Sequence, residues 1–432
     1  MTKTAETNDA KRVIKVHHVT RVEGHGSIFL GMNAGQIEKV EWQVPEAPRF
    51  FEAMVLDKSW KDIQTIVSRI CGICSITHSL ASIKAIENAM QITVSEQTDR
   101  LRILTHYGEQ IESHVLHVGY LVVPDLFGMK SVVPLAAANP DLVKLVIRLH
   151  RLSNQWMEML AGRMTHPVRL LPGGFSKLPT TDDLLKLKKD IQDCIPVFNS
   201  VAEAVAGLKD KIPDFTRETE YIALVQKGHY TFYHGEIGSS DVAEIMSIQK
   251  FESVVNEYVS PQSTAKWTKW HRESYAVGAL ARYNLNNQFL LPLARKIAGA
   301  FGLGSKNCNP FYNSLAQLVE CFQVVEHSLA IIDELLGAGI KQEKNTAEPR
   351  EGEGVGSVEA PRGILFHRYG FDKKGKCVKA NMSIPTNQNH ANIQKDFEAL
   401  APQIADRPSD EIKLMLEMLV RAYDPCISCS TH

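Results

Sequence analysis

Between Arg12 and Val44 the chain alternates β-branched or aromatic residues with polar ones, and the alternation breaks at Asn33-Ala34-Gly35. A period of two marks strands that bury one face, and the break has turn chemistry, so residues 13–45 are expected to form a small antiparallel sheet. From about Trp60 the apolar residues fall three and four apart instead, in "DIQTIVSRI", "SLASIKAIENAM", "TDRLRILTHYGEQIESHVLHVGYLVV" and "DLVKLVIRLHRLSNQWMEMLAGRM", with Pro and Gly between the segments. That spacing predicts amphipathic helices packed as a bundle.

Helical spacing continues to Leu336 through "TTDDLLKLKKDIQDCIPVFNSVAEAVAGLKDKI" and "FYNSLAQLVECFQVVEHSLAIIDELL", interrupted near "HYTFYHGEIGSSD" by a loop or short strands. The charged, Gly-rich stretch "KQEKNTAEPREGEGVGSVE" has the composition of a loop, and two strand-like runs follow around the turn "DKKGK", a hairpin over residues 360–386. A last helix, "DEIKLMLEMLVRAY", leads into the closing motif of residues 409–432. The expected fold is α+β and mainly α: one domain over 1–432, with a central bundle over 60–336 and small antiparallel sheets near the N-terminus and near 361–386. No internal repeat or low-complexity segment breaks this order.

Size and charge narrow the function. A chain of 432 residues, 44% hydrophobic, can bury a large core, and 48 basic residues against 49 acidic ones leave no field that would draw nucleic acid or an anionic membrane. No run of about 18 apolar residues is present, and the start "MTKTAETNDAKRVIKV" lacks an apolar segment behind its charges, so a cytoplasmic protein without a membrane span is expected. Eight cysteines are too few for a disulfide scaffold.

Four of the cysteines carry the chemistry. Cys71 and Cys74 form one C-x-x-C pair, with His78 one helical turn beyond; Cys426 and Cys429 form another, with His432 three residues on. Four thiolates could close a tetrahedral zinc site. Zinc ribbons, however, join their pairs over about 15–20 residues, whereas Cys429 lies 358 positions after Cys71 (429 minus 71). An iron–sulfur cluster, or a redox dithiol at either pair, is a further use of the same residues.

The segments "RICGIC" with His78, and "DPCISCSTH", together resemble the large subunit of [NiFe]-hydrogenases. The patterns R-x-C-G-x-C-x-x-x-H and D-P-C-x-x-C-x-x-H are both complete, and "RVEGHG", "RFFEA", "EAPRG" and "SIPTN" follow in the family's order. The resemblance implies that Cys71, Cys74, Cys426 and Cys429 bind nickel, with Cys74 and Cys429 also bridging to an iron that carries carbon monoxide and two cyanides. Such a cluster, with six negative ligand charges on Ni(II) and Fe(II), keeps about −2 in a buried site and calls for a cation beside it. By the same resemblance Arg362 supplies it and Asp424 is its carboxylate partner, Thr386 hydrogen-bonds a cyanide, and His78 donates to the sulfur of Cys74.

The resemblance also gives a route for the proton of split H2: Cys426 accepts it first and Glu23, in "RVEGH", carries it on. His114 and His117 match family positions near the site but also fit as packing residues on a helical face. Ser113 stands where many relatives carry Asp, which leaves Asp424 as the main partner of Arg362. His432, Glu52 and the backbone carbonyl of Met382 are expected to hold magnesium or iron. The family's large subunit is cut after this histidine by a maturation endopeptidase once nickel is in place.

Cys194, Cys308, Cys321 and Cys377 are isolated, so electrons from H2 require an iron–sulfur small subunit. "PRFFEA", "EAPRGIL" and "VRAYDPCISCS" are most similar to the cytoplasmic multi-subunit branch, the bidirectional and sulfhydrogenase-like enzymes, whose flavin and iron–sulfur subunits pass electrons to a carrier such as NAD(P) or ferredoxin. An H2-sensing subunit, with the same ligands, and a structural four-cysteine zinc protein are the competing readings.

Overall fold

The structure is a computed structural model and describes residues 11–432. The polar start read for a missing leader is mostly residues 1–10, outside the described residues. The N-terminal alternation folds as expected into an antiparallel sheet of Lys11–Val16, Ser27–Asn33 and Gln36–Gln43, in that order. Ile28, Leu30 and Trp42 point inward, and Ala34 and Gly35 turn the chain with positive φ.

Four helices read from the 3.6-residue period are present as Ser75–Met90, Glu96–Leu116, Pro140–Ala161 and Thr181–Ala206. Local chemistry sets several of their ends. The Ser95 and Asn139 side chains cap two first turns, Thr180 and Asp183 form a reciprocal capping box, and Gly162 closes a C-terminus with φ of 81°. A fifth helix, Asn313–Ala338, belongs to a stretch that is, alone among the described residues, long and apolar enough to cross a membrane, but it is mostly buried inside the protein, as suits a core helix. The short strands expected near residues 229–241 include Glu236–Ser239, which pairs Glu220–Val225, and further short strands not expected there are Tyr275–Ala276 on the other side of Glu220–Val225 and Leu170–Leu171 paired with Gly174–Phe175.

Two expectations near the C-terminus are corrected. The Gly-rich stretch is not all loop: Gly352–Ala360 is the outer strand of a three-stranded antiparallel sheet with Gly363–Phe371 and Cys377–Ser383, so the hairpin is two-thirds of a larger sheet. Its glycines are a packing device. A Cβ added at Gly352, Gly354 or Gly356 would meet the carbonyl oxygens of Ala89, Ala85 and Ala81 at 2.4, 2.3 and 2.1 Å, so glycine lets the strand lie backbone to backbone on the Ser75–Met90 helix.

The second correction is the helix Pro385–Leu400, absent from the expected elements, so Thr386 sits in a helical first turn rather than at the end of the hairpin. This helix buries a polar face. Gln394 accepts from the Trp42 backbone N–H, His390 pairs with the Trp42 indole and the Ser430 hydroxyl, and Asn387 donates to the Ser430 carbonyl. It thereby ties the N-terminal sheet to the closing segment, and a single core cluster runs from Ile14 to Cys429.

Candidate metal centre

Both ends of the chain converge on one buried point. Cys71 follows the 3-10 turn Ser68–Ile70, and Cys74 stands at the start of the Ser75–Met90 helix. Cys74 offers its helix no side-chain cap; Glu109, from the neighbouring helix, accepts from the Ile76 and Thr77 backbone N–H groups at 2.6 and 2.8 Å instead. From the other end, the Ser409–Ala422 helix delivers Cys426 and Cys429. All four sulfurs lie within 4.8 Å of one another, and all four residues are buried. Cys426 and Cys429 hold their Cα atoms 5.4 Å apart, a spacing that lets both sulfurs face one metal.

Arg362 and Asp424 face each other beside this cage. Arg362 donates through Nε to the Asp424 carbonyl at 2.7 Å and through Nη2 to its Oδ1 at 3.0 Å. Asp424 reaches that position from a left-handed backbone, φ 49°, a conformation that non-glycine residues rarely hold without support. Gln317 donates to its Oδ2 at 3.0 Å. Nη1 of Arg362 is buried and has no hydrogen-bond partner among the described residues. Burial opposes the charge of this guanidinium, yet Asp424, Cys74 and Cys71 outweigh it and hold the pKa above the ordinary arginine value.

The thiols show the same balance. Burial pushes Cys71 up, but its hydrogen bond with Cys74 and the charge of Arg362 bring it below the usual thiol range. Cys74, as the other half of that bond and fully buried, is held well above it. Soft sulfur donors, dry surroundings and an adjacent cation with a spare N–H fit a thiolate-bound nickel–iron centre carrying small anionic ligands.

Glu23 meets the closing motif through a parallel bridge to Cys426, in which the Ile427 N–H donates to the Glu23 carbonyl at 3.0 Å. Gly24 permits this approach: a Cβ there would sit 2.7 Å from the Ser428 nitrogen. The Glu23 Oε2 lies 3.1 Å from the Cys426 sulfur and accepts from the Ser428 N–H at the same distance, while Oε1 accepts from the Ser428 hydroxyl. Thr386 Oγ1 accepts from the Cys426 N–H at 3.0 Å. The His78 ring makes its hydrogen bond to His367, 3.2 Å away, rather than to the Cys74 sulfur, and burial lowers its pKa to about 3, so it is neutral.

His432, Glu52 and Met382, expected at a second ion, also come together. His432 Nε2 is 2.9 Å from the Met382 carbonyl and 3.7 Å from Glu52 Oε1, and Glu52 accepts from the Met382 N–H at 2.7 Å. Burial raises the Glu52 pKa, but His432, the Met382 N–H and Lys266 outweigh it and lower the carboxyl below its usual value. His114 and His117 are packing residues here, His114 on Glu320 and His117 between Gln317 and the Arg421 carbonyl.

Sequence reasoning missed Arg49, whose Nη2 donates to the carbonyls of Ile70 and Ser428 and whose N–H donates to the Thr431 carbonyl, clasping both cysteine segments. Its place in "RFFEA" was the available signal. It also missed Glu109, for which no local signal exists, because its partners sit on another helix.

Comparison with known proteins agrees with this geometry. The family model described as nickel-dependent hydrogenase matches residues 49–169 and 227–432, and one described as HoxL-like matches 13–47. Sulfhydrogenase 1 subunit alpha of Pyrococcus furiosus is 31% identical over 420 residues, covering 97% of each chain. The NAD-reducing hydrogenase HoxS subunit beta of Cupriavidus necator is 28% identical, covering 98% of this chain and 95% of the relative. A crystal structure of an NAD+-reducing [NiFe]-hydrogenase in the H2-reduced state superposes with a TM-score of 0.89 at 24% identity, over 98% of this chain and 100% of that one, and so shares the fold. This chain belongs to the nickel-dependent hydrogenase family, oxidoreductases that act on H2.

Proposed function

We propose that this chain is the catalytic large subunit of a [NiFe]-hydrogenase that reversibly cleaves H2 to protons and electrons. The observation that carries the reading is the convergence of four buried sulfurs from both ends of the chain beside a buried arginine with one unpaired guanidinium nitrogen. When bound, nickel and an iron carrying carbon monoxide and two cyanides supply heterolytic splitting of H2 and hold its two electrons. Cys71, Cys74, Cys426 and Cys429 would be the ligands. Arg362 balances the negative charge and keeps a polarising N–H group over the site, and Asp424 fixes its plane.

Protons are handled by residues at hydrogen-bond distance. A proton held on the Cys426 sulfur passes to Glu23 Oε2, 3.1 Å away, and Ser428 holds that carboxylate in place. Thr386 orients Cys426 from behind by accepting from its N–H. His432, Glu52 and the Met382 carbonyl supply three ligands of a magnesium or iron ion, which would lock the last turn over the centre.

Electrons leave through an iron–sulfur small subunit, since the four other cysteines are scattered. Flavin and iron–sulfur subunits passing electrons to NAD(P) or ferredoxin fit the named activities of the relatives, and a cytoplasmic location with a maturation endopeptidase belongs to the same reading. Infrared spectra of the purified complex in the CO and CN stretching region, with nickel and iron analysis, test it. A single zinc without those bands would overturn it.

A further inference from the structure

Asp125 lies in the short helix Val123–Leu126, directly after the π-helical turn His117–Val122, and its side chain is 3% exposed. It is bonded to two arginines at once. Arg421 donates to it through Nε at 2.7 Å and Nη2 at 3.1 Å, and Arg21 reaches the same carboxylate through Nη2. Arg21 is two residues before Glu23, and Arg421 is three before Asp424 and five before Cys426. Further bonds close the cluster: Arg421 Nη1 donates to the Thr20 carbonyl at 3.1 Å, and Arg21 Nη1 to the Leu121 carbonyl at 2.6 Å. Glu417, 3.8 Å from Arg421, is the remaining carboxylate at its edge.

We infer that Asp125 is a positioning residue for the proton relay: by holding Arg21 and Arg421 together, it sets the separation between the Glu23 carboxylate and the Cys426 sulfur. This rests on the relay role proposed for Glu23. The two arginines come from opposite ends of the chain, and between them and the reacting atoms lies backbone that does not hold its shape alone. Arg21 itself has φ of 60° and Asp424 has φ of 49°, left-handed values that relax unless tertiary bonds fix them. Beyond them Glu23 is bonded, among the described residues, only within the closing turn, by the Ile427 N–H on its carbonyl and by the Ser428 N–H and hydroxyl on its carboxylate, so the two segments keep their register only while the arginine pair holds them together. The 3.1 Å contact of Glu23 with Cys426 is close for sulfur and oxygen, and a drift of about 1 Å would carry the pair out of hydrogen-bond reach, a displacement that costs up to about a hundredfold in rate.

The test uses the assembled complex with Arg21→Gln and Asp125→Asn. Arg21→Gln is the primary variant, because it cuts the link to the Glu23 strand and removes excess positive charge, whereas Asp125→Asn leaves two desolvated guanidiniums unpaired. H2-driven dye reduction is expected to fall about tenfold or more, while para-hydrogen conversion and nickel content stay within about twofold of the parent. Amide exchange by mass spectrometry should quicken in the segments 18–28 and 421–432 and not elsewhere. Dye reduction and exchange both unchanged in Arg21→Gln would overturn the inference, as would parallel loss of dye reduction, conversion and nickel in both variants. Glu23→Gln, run alongside, separates the two levels. If Glu23→Gln leaves turnover intact, the relay reading itself fails; if it acts while Arg21→Gln does not, only the positioning role of Asp125 is lost.

Discussion

Replacing Arg362 by lysine keeps one positive charge and discards the planar fork. In the structure that fork does three things at once: Nε holds the Asp424 carbonyl at 2.7 Å, Nη2 holds its carboxylate at 3.0 Å, and Nη1 is left buried without a hydrogen-bond partner among the described residues. A lysine ammonium is a single tetrahedral donor centre on a flexible stem and cannot hold both Asp424 atoms while presenting a further N–H in a fixed direction. Loss of one preorganised donor from an active site costs about 10²–10³ in kcat, roughly 3–4 kcal/mol of barrier. The charge remains, so the thiolates should still be neutralised and nickel retained. H2 uptake at saturating dye should therefore drop by about that factor, with KM for H2 little changed and the CO and CN bands still present. A variant with full metal content and kcat within about threefold of the parent would refute the placement of Nη1 over the reacting position.

The remaining predictions concern the relay, the packing, the pH response and the second ion. Glu23→Gln should lower turnover by about 10²–10⁴ while para-hydrogen conversion and metal content persist, measured on the same preparation. Gly356→Ala places a methyl group 2.1 Å from the Ala81 carbonyl and 2.4 Å from the Ala85 nitrogen, both backbone, so thermal unfolding should show destabilisation of about 3 kcal/mol or more; an unchanged melting temperature would contradict the close strand–helix contact. His106 and His390, fully buried, have pKa values lowered to about 3 by burial and stay neutral in the fold. Below pH about 6.5 the unfolded chain binds protons that the fold refuses, so each histidine removes about 1.4 kcal/mol of stability per pH unit as pH falls from about 6.5 toward 3. Buried Glu109 and Glu359, raised by burial to about 8 and 7, act in the opposite sense, so the comparison is with His106→Gln and His390→Gln: a change in stability between about pH 6.5 and 5 identical to the parent's in both variants, read from urea unfolding, would count against this. Metal analysis of Glu52→Gln and His432→Ala should show loss of the C-terminal ion with nickel retained, and retention of that ion in both would move it to other ligands.

The sequence by itself determined the N-terminal sheet, most of the long helices and the two cysteine pairs that meet, because each is written locally: a period of two, a period near four, and C-x-x-C pairs with a histidine at fixed spacing. It did not determine the Pro385–Leu400 helix, whose inward face is Asn387, His390 and Gln394 bonded to Trp42 and Ser430, since a hydrophobic pattern cannot register a buried polar face. Nor did it reveal the Gly352–Ala360 strand, where the glycines that look like loop chemistry are set by the backbone of another helix. Arg49, Glu109 and the left-handed turn at Asp424 were decided only when elements met, because each satisfies a carbonyl, an N–H or a charge supplied by a distant part of the chain. Residue type and spacing can say which atoms suit nickel; bringing Cys71 and Cys429 within reach across 358 positions (429 minus 71) depends on the summed burial and hydrogen bonding of the whole core, which no short window contains.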